Sequence, residues 1–128
     1  MRAIILAAGV GHRLAPLTDR RPKCLLPVGG RSLLERMLDA LAALTISEAV
    51  LVVGHCQDQI RRVAGNRFGQ LPVRYVENPE YMRDSIRSLW AGRNELDQDV
   101  IVMDADVLFP LQLLRRLAES NEASALLI

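Results

Sequence analysis

Three uninterrupted apolar runs limit what this chain can fold into more than any other feature: Ala3-Ile4-Ile5-Leu6, Ala49-Val50-Leu51-Val52-Val53 and Val100-Ile101-Val102-Met103. Each is short, lacks polar alternation and soon meets Gly or Asp, so each reads as a strand, the first two as buried ones. Amphipathic segments separate them. Ser32-Leu33-Leu34-Glu35 is a capping-box signature and opens a helix with Leu33, Leu34, Met37, Leu38, Leu41 and Leu44 inward. A second helix runs from Asp58 to Ala64 with Ile60, Val63 and Ala64 inward. A third, capped by Asp84 or Ser85, carries Ile86, Leu89 and Trp90 on an apolar stripe, where Trp90 reads as core. Pro110 suits the first position of a fourth helix through Leu117. Val73-Arg74-Tyr75-Val76 alternates and belongs nearer a sheet edge, and residues 123–128 read as the start of a fifth strand. This β-α alternation predicts an α/β fold: a doubly wound, Rossmann-like, mostly parallel sheet with helices on both faces. Half of the residues are hydrophobic but only 4% are aromatic, so the core must be aliphatic, as such a sheet requires.

A length of 128 residues sets one domain as the upper limit. The net charge of +1 gives no bulk reason for a nucleic acid or an anionic membrane as partner. Arg2 followed by a short apolar run mimics a signal peptide only until Gly11-His12-Arg13, and no run approaches the roughly 18 apolar residues of a membrane span. Cys24 and Cys56 have no metal-ligand partners at useful spacing and read as free thiols, which suits a cytoplasmic protein. The last residues, Leu126-Leu127-Ile128, lie in an apolar run, so residues 1–128 read as the front part of a longer domain, with homo-oligomer formation one way to cover an apolar edge.

The chemistry begins where the first strand enters Ala7-Ala8-Gly9-Val10-Gly11, with Arg13 just beyond and Pro22-Lys23 further on. Small residues let backbone N–H groups approach an anion closely. Arg supplies a planar fork for phosphate oxygens and Lys a mobile point charge. Together they make a cradle for a triphosphate. The loop is not a Walker loop, since Gly-Lys-Ser/Thr is absent. A dinucleotide fingerprint also fails: Leu14 replaces the third Gly, and the second strand ends at Gly54-His55 rather than at an acid. By itself the loop reads equally as a tight β–α turn. Asp104-Ala105-Asp106 closes the fourth strand and offers oxygen ligands of the kind Mg²⁺ takes beside phosphates, both on one side if the chain stays extended. The competing reading is that these acids cap the next helix or end the strand in water. His12 and His55 are isolated. Cys24 has a cationic neighbour in Lys23 that would lower its pKa, against which stands the commoner structural role of a buried thiol.

The segments LAAGVGHRL and RPKCLLPVGG resemble the nucleotidyltransferase superfamily, whose members join a nucleoside triphosphate to a phosphorylated sugar or alcohol. Leu6, Ala7, Ala8, Gly9, Gly11, Arg13, Pro22 and Lys23 match its pattern position by position; His12 departs from the usual Ser or Thr. The resemblance implies that Leu6, Ala7, Ala8, Gly9 and Gly11 wrap the nucleotide and that Arg13 and Lys23 are the catalytic cations. Asn78, followed by Ser85-Ile86-Arg87-Ser88-Leu89, looks like the bacterial phosphocholine cytidylyltransferase branch, which implies nucleotide contacts at Asn78 and Ser85. It further implies a metal-holding Asp106, with Asp104 as the extra acid of that branch. The partners implied are CTP and a small phosphorylated acceptor such as phosphocholine, with Mg²⁺ as cofactor. A sugar-1-phosphate uridylyl- or thymidylyltransferase is the alternative within the class. A catalytically inactive nucleotide-binding or interaction domain is the alternative outside it.

Overall fold

Strand β1 (Arg2–Ala7) is the axis of the molecule: it pairs in parallel with β4 (Glu48–Val53) on one side and β7 (Val100–Asp104) on the other. In the computed structural model, which describes residues 1–9, 20–79, 85–107 and 109–122 (85–87 in their backbone alone), β6 (Leu71–Glu77) extends the sheet beyond β4, again in parallel. A two-residue strand, β5 (Arg67–Phe68), closes that side as an antiparallel edge. The order β5-β6-β4-β1-β7 reverses direction at β1, so the expected doubly wound sheet is the one found. A second, two-stranded ribbon, β2 (Pro27–Val28) with β3 (Arg31–Ser32), stands apart. Sequence reasoning did not identify it, although its Gly29-Gly30 turn is a known hairpin signal. Both glycines take positive φ, 61° and 86°, as a two-residue turn of this kind requires. Arg36 donates to the carbonyls of Val28 and Gly29 and so clamps the ribbon.

The helices are α1 (Leu33–Ala42), α2 (Gln57–Ala64), α3 (Ser85–Ala91) and α4 (Leu111–Ala118). The capping box at Ser32 and Glu35 is present as read from the sequence. Alternation sorts the sheet into two faces. Ala3, Ile5 and Ala7, with Ala49, Leu51, Val53, Ile101 and Met103, meet Leu34, Leu38 and Leu41 of α1, Ile60 of α2 and Leu114 of α4 in one aliphatic core. On the opposite face Ile4, Val50 and Val52 are fully buried, and α3 lies over β4 and β1. A Cβ at Gly92, just past α3, would stand 3.2 Å from Val52 Cγ2, so the close approach there suits glycine.

Four readings need correction. Trp90 is 63% exposed rather than core; its ring lies under the Arg93 guanidinium, 4.3 Å from the centroid, and that stacking holds it at the surface. Val63 is 39% exposed because α2 is short and turns only Ile60 and Ala64 fully inward. Leu44 lies beyond the end of α1. Pro110 is the residue before α4 rather than its first, with extended backbone. The fifth strand expected at residues 123–128 lies outside the described residues.

An ion network ties the amino ends of the strands together. Arg2 Nε donates to Glu48 Oε1 at 2.6 Å and its Nη1 lies 2.7 Å from Asp97 Oδ1, while Arg74 Nη2 reaches Glu48 at 3.0 Å and Glu95 at 2.7 Å. Hydrogen bonds from Arg74 first, and from Arg2, pull the Glu48 carboxyl from its ordinary 4.5 down to about 2. A depressed carboxylate contributes stability that is complete above its unfolded value and is lost as pH falls through the folded one. The urea midpoint should therefore fall between pH 5 and 2.5 less steeply in Glu48→Gln than in the wild type. At pH 7 the substitution should cost about 1 kcal/mol, below the usual range for charged partners, because water still reaches the cluster. Parallel acid titrations of the two proteins would refute this assignment.

Candidate active site

The carboxyl ends of the parallel strands lie together, and the predicted site residues among those described are found at that end. Leu6 ends its ladder opposite Asp104, and Ala7 pairs with Val53. Ala8 is buried, and its carbonyl accepts from the His55 N–H at 3.3 Å, so the turn after β4 supports the chain as it leaves β1. Gly9 is exposed, and a Cβ there would meet nothing within 4 Å, which leaves its backbone open to a ligand. Gly11 and Arg13, both predicted to hold phosphates, lie outside the described residues.

Lys23 stands in a single 3-10 turn (Lys23–Leu25) between two anchors: Pro22 is fully buried and Cys24 is 3% exposed. The turn closes through Leu25 N–H to Pro22 O and Leu26 N–H to Lys23 O. From it the Lys23 Nζ reaches Asp106 Oδ2 at 2.9 Å, with both side chains partly open to water at 34% and 43%. Asp106 has an anchor of its own: neighbouring Ala105 is buried and its N–H donates to Leu6 O. The chain turns at Ala105 and Asp106 instead of staying extended. The reason offered for placing Asp104 and Asp106 on one side therefore fails, yet the turn still brings the two charges near. Burial first, and then the charge of Asp106, push the Asp104 carboxyl above the ordinary carboxylate range. The two crowded carboxylates at the mouth of the sheet form an oxygen donor set that fits a hard divalent cation shared with phosphates, and the nearby ammonium suits the phosphates themselves. No group of three or more ligating side chains occurs among the described residues, and Mg²⁺ commonly takes only one or two carboxylates beside phosphate oxygens.

Asn78 follows β6, on the other side of β4. Its backbone N–H donates to Val53 O at 2.8 Å, and its side-chain amide donates to Ser88 Oγ at 3.0 Å, with both residues buried. The Asn78 side chain thereby joins a strand end to α3. Ser85 is the first residue of α3, which places it at this end of the fold. Strand spacing separates Asn78 from Asp104 by about 14 Å. The site is therefore a shelf, with the acids and Lys23 at one end and Asn78 at the other. Sequence reasoning missed Gln59, whose side chain bonds to the Arg20 carbonyl. No local motif marks it; only the packing of α2 against the Lys23 segment reveals it.

The MobA-like NTP transferase domain family matches residues 3–127. The chain is 44% identical over 126 residues to CMP-5'-(3-aminopropyl)phosphonate synthase of Streptomyces rubellomurinus, a match covering 98% of this chain and 20% of that protein. It is 34% identical over 122 residues to 2-aminoethylphosphonate cytidylyltransferase of Lancefieldella rimae, covering 84% of this chain and 46% of that one. Among solved structures it is similar to CTP:phosphocholine cytidylyltransferase from Streptococcus pneumoniae, with a TM-score of 0.72 and 36% identity over 82% of this chain and 44% of that chain. The chain thus spans between a fifth and about half the length of these relatives. No helix among the described residues is long and apolar enough to cross a membrane.

Cys24 belongs to the scaffold of this site rather than to its chemistry. Burial pushes its thiol up to about 12, with the charge of Asp106 adding to the shift, so the Lys23 cation does not activate it. A thiol-exchange reagent at pH 8 should therefore titrate Cys56 in the native protein and reach Cys24 only after unfolding. Native reaction of both thiols at equal rates would contradict the packing described.

Proposed function

Because the chain belongs to the MobA-like NTP transferase family, we propose that it binds CTP and supports transfer of CMP to a small phosphorylated or phosphonylated acceptor. The observation that carries this reading is the Lys23–Asp106 pair, 2.9 Å apart where β1 and β7 end. A cation and a carboxylate held there by buried neighbours suit a triphosphate, whose charge must be gripped and neutralised during reaction. In the proposed reaction an acceptor oxygen attacks the α-phosphorus, a new phosphorus–oxygen bond forms, the bond to the β-phosphate bridge breaks, and pyrophosphate leaves. Such transfer depends on positioning and electrostatic stabilisation more than on covalent help from the protein. Lys23 would leave Asp106 and stabilise charge on the α-phosphate. The backbone around Ala8 and Gly9, together with Gly11 and Arg13, would hold the outer phosphates. Ser85, at the far end of the shelf, would meet the nucleoside, while Asn78, expected to do the same, is buried against Ser88 and would brace that end. Asp104 and Asp106 would hold Mg²⁺, which when bound supplies charge neutralisation for the phosphates.

The relatives named above bear on the acceptor. Their names give phosphonates or a phosphate ester attached to a short chain with a nitrogen group. On that ground the proposed acceptor is of that type rather than a sugar 1-phosphate.

Two measurements test the reading. In a calorimetric panel CTP should bind ahead of UTP, GTP and dTTP, and a clear lead for a guanine or thymine nucleotide would overturn the cytidylyl assignment. Asp106→Asn should remove most of the Mg²⁺ enhancement of CTP affinity, while Asp104→Asn should remove less. Equal enhancement in wild type and Asp106→Asn would reduce that carboxylate to a partner of Lys23 alone.

A further inference from the structure

We propose that Gln59 is a positioning residue for Lys23: its side-chain amide fixes the backbone from which Lys23 reaches the carboxylates. This inference rests on the transferase reading above. Gln59 Nε2 donates to the carbonyl of Arg20 at 2.5 Å, joining residues 39 apart in sequence. Arg20 lies three residues before Lys23. Both Arg20 and Arg21 are exposed, and burial of the segment begins only at Pro22. An open groove of about 400 Å³ runs along this segment, bounded by Arg21, Leu25, Gln59 and Arg62. The side chains of Arg20 and Arg21 are thus turned to water, and the Gln59 hydrogen bond grips the backbone just ahead of buried Pro22.

The other end of this tether is firm. Ile60, the next residue of α2, is fully buried, and Ala64 is 2% exposed, so the helix cannot slide without disturbing the core. The turn leading into α2 donates from His55 N–H to Ala8 O. The stretch from His55 to Gln59 therefore touches the end of β1 at Ala8 and the Lys23 segment at Arg20, and ties the two together. A donor is required at position 59, because a carbonyl oxygen accepts only. Glutamate would oppose that oxygen with another acceptor.

The test uses the full-length protein and pyrophosphate release with CTP. Gln59→Leu should lower kcat about 2- to 10-fold, the factor to which one net hydrogen bond converts, with the KM for CTP unchanged. Gln59→Lys, which keeps an N–H donor, should recover most of that loss. Lys23→Ala should itself lose on the order of 10²–10³ in kcat, as expected for one preorganised charge donor. On that background Gln59→Leu should add nothing. If Gln59→Leu also lowers the thermal midpoint, Gln59→Glu, similar in size but lacking the donor, must show the same kcat loss. Full activity in Gln59→Leu beside a crippled Lys23→Ala overturns the tether and leaves the transferase reading standing. Equal losses from Gln59→Leu in both backgrounds overturn it as well, since a merely structural contact acts that way. Wild-type turnover in Lys23→Ala overturns the role of Lys23 and the tether with it.

Discussion

The register of β1 between its two parallel neighbours decides where everything else in this molecule stands. Ala7 meets Val53 on one side and Leu6 meets Asp104 on the other. A slip of one residue would exchange the two faces of the strand. Ala3, Ile5 and Ala7 would leave the core shared with α1, α2 and α4, and Ile4 would enter it. The same slip would separate Ala105 N–H from Leu6 O, and with it the anchor that aims Asp106 at Lys23. Burial of apolar side chains on both faces therefore fixes the site indirectly. The core sets the ladder, and its last members, Ala7, Cys24 and Ala105, border the candidate site.

Charge is distributed between the two ends of that sheet in opposite ways. At the amino ends Arg2 and Arg74 interleave with Glu48, Glu95 and Asp97, and the hydrogen bonds are short enough to hold Glu48 ionised well into acid. That end is internally satisfied. At the carboxyl ends Asp104 is raised by burial and by Asp106, so the carboxylates there are crowded rather than relieved. Added positive charge lowers the electrostatic cost at this end and has little to offer at the other. The asymmetry agrees with the general rule that open α/β sheets bind ligands outside the carboxyl ends of their strands.

Much of this was legible in the sequence because it depends on patterns that repeat. Continuous apolar runs identified β1, β4 and β7, the alternating run put β6 nearer a sheet edge, and Ser32 with Glu35 announced α1. The acids after β7 and Lys23 were readable as chemistry because residue type carries the signal. Other features depend on neighbours distant in the chain. Trp90 has the spacing of a core residue, yet a single cation, Arg93, and the limited span of α3 keep it at the surface. Asp104 and Asp106 were read through strand alternation, which stops applying where the chain turns at Ala105. Cys24 was weighed by its neighbour Lys23, although burial dominates its ionisation. Gln59 carries no local signature, since its partner is a backbone carbonyl 39 residues away.

The partial exposure of the Lys23–Asp106 pair has a consequence for the reading proposed here. With 34% and 43% of the two side chains open to water, the pair contributes about 0–1 kcal/mol, the usual range for solvated ion pairs. A charge-assisted hydrogen bond from Lys23 to a phosphate oxygen is worth about 1.5–3 kcal/mol in a less solvated setting. The exchange of Asp106 for a phosphate would therefore run downhill for the lysine where the bound ligand excludes water. It would run downhill for Asp106 too if a divalent cation took the place of the departing ammonium, because a dication relieves Asp104 as well. A fully buried pair would lack this property: separating it would leave two uncompensated charges and cost several kcal/mol. The half-open setting, with buried anchors at Pro22, Cys24 and Ala105, keeps Lys23 and Asp106 paired while leaving each within reach of a competing ion.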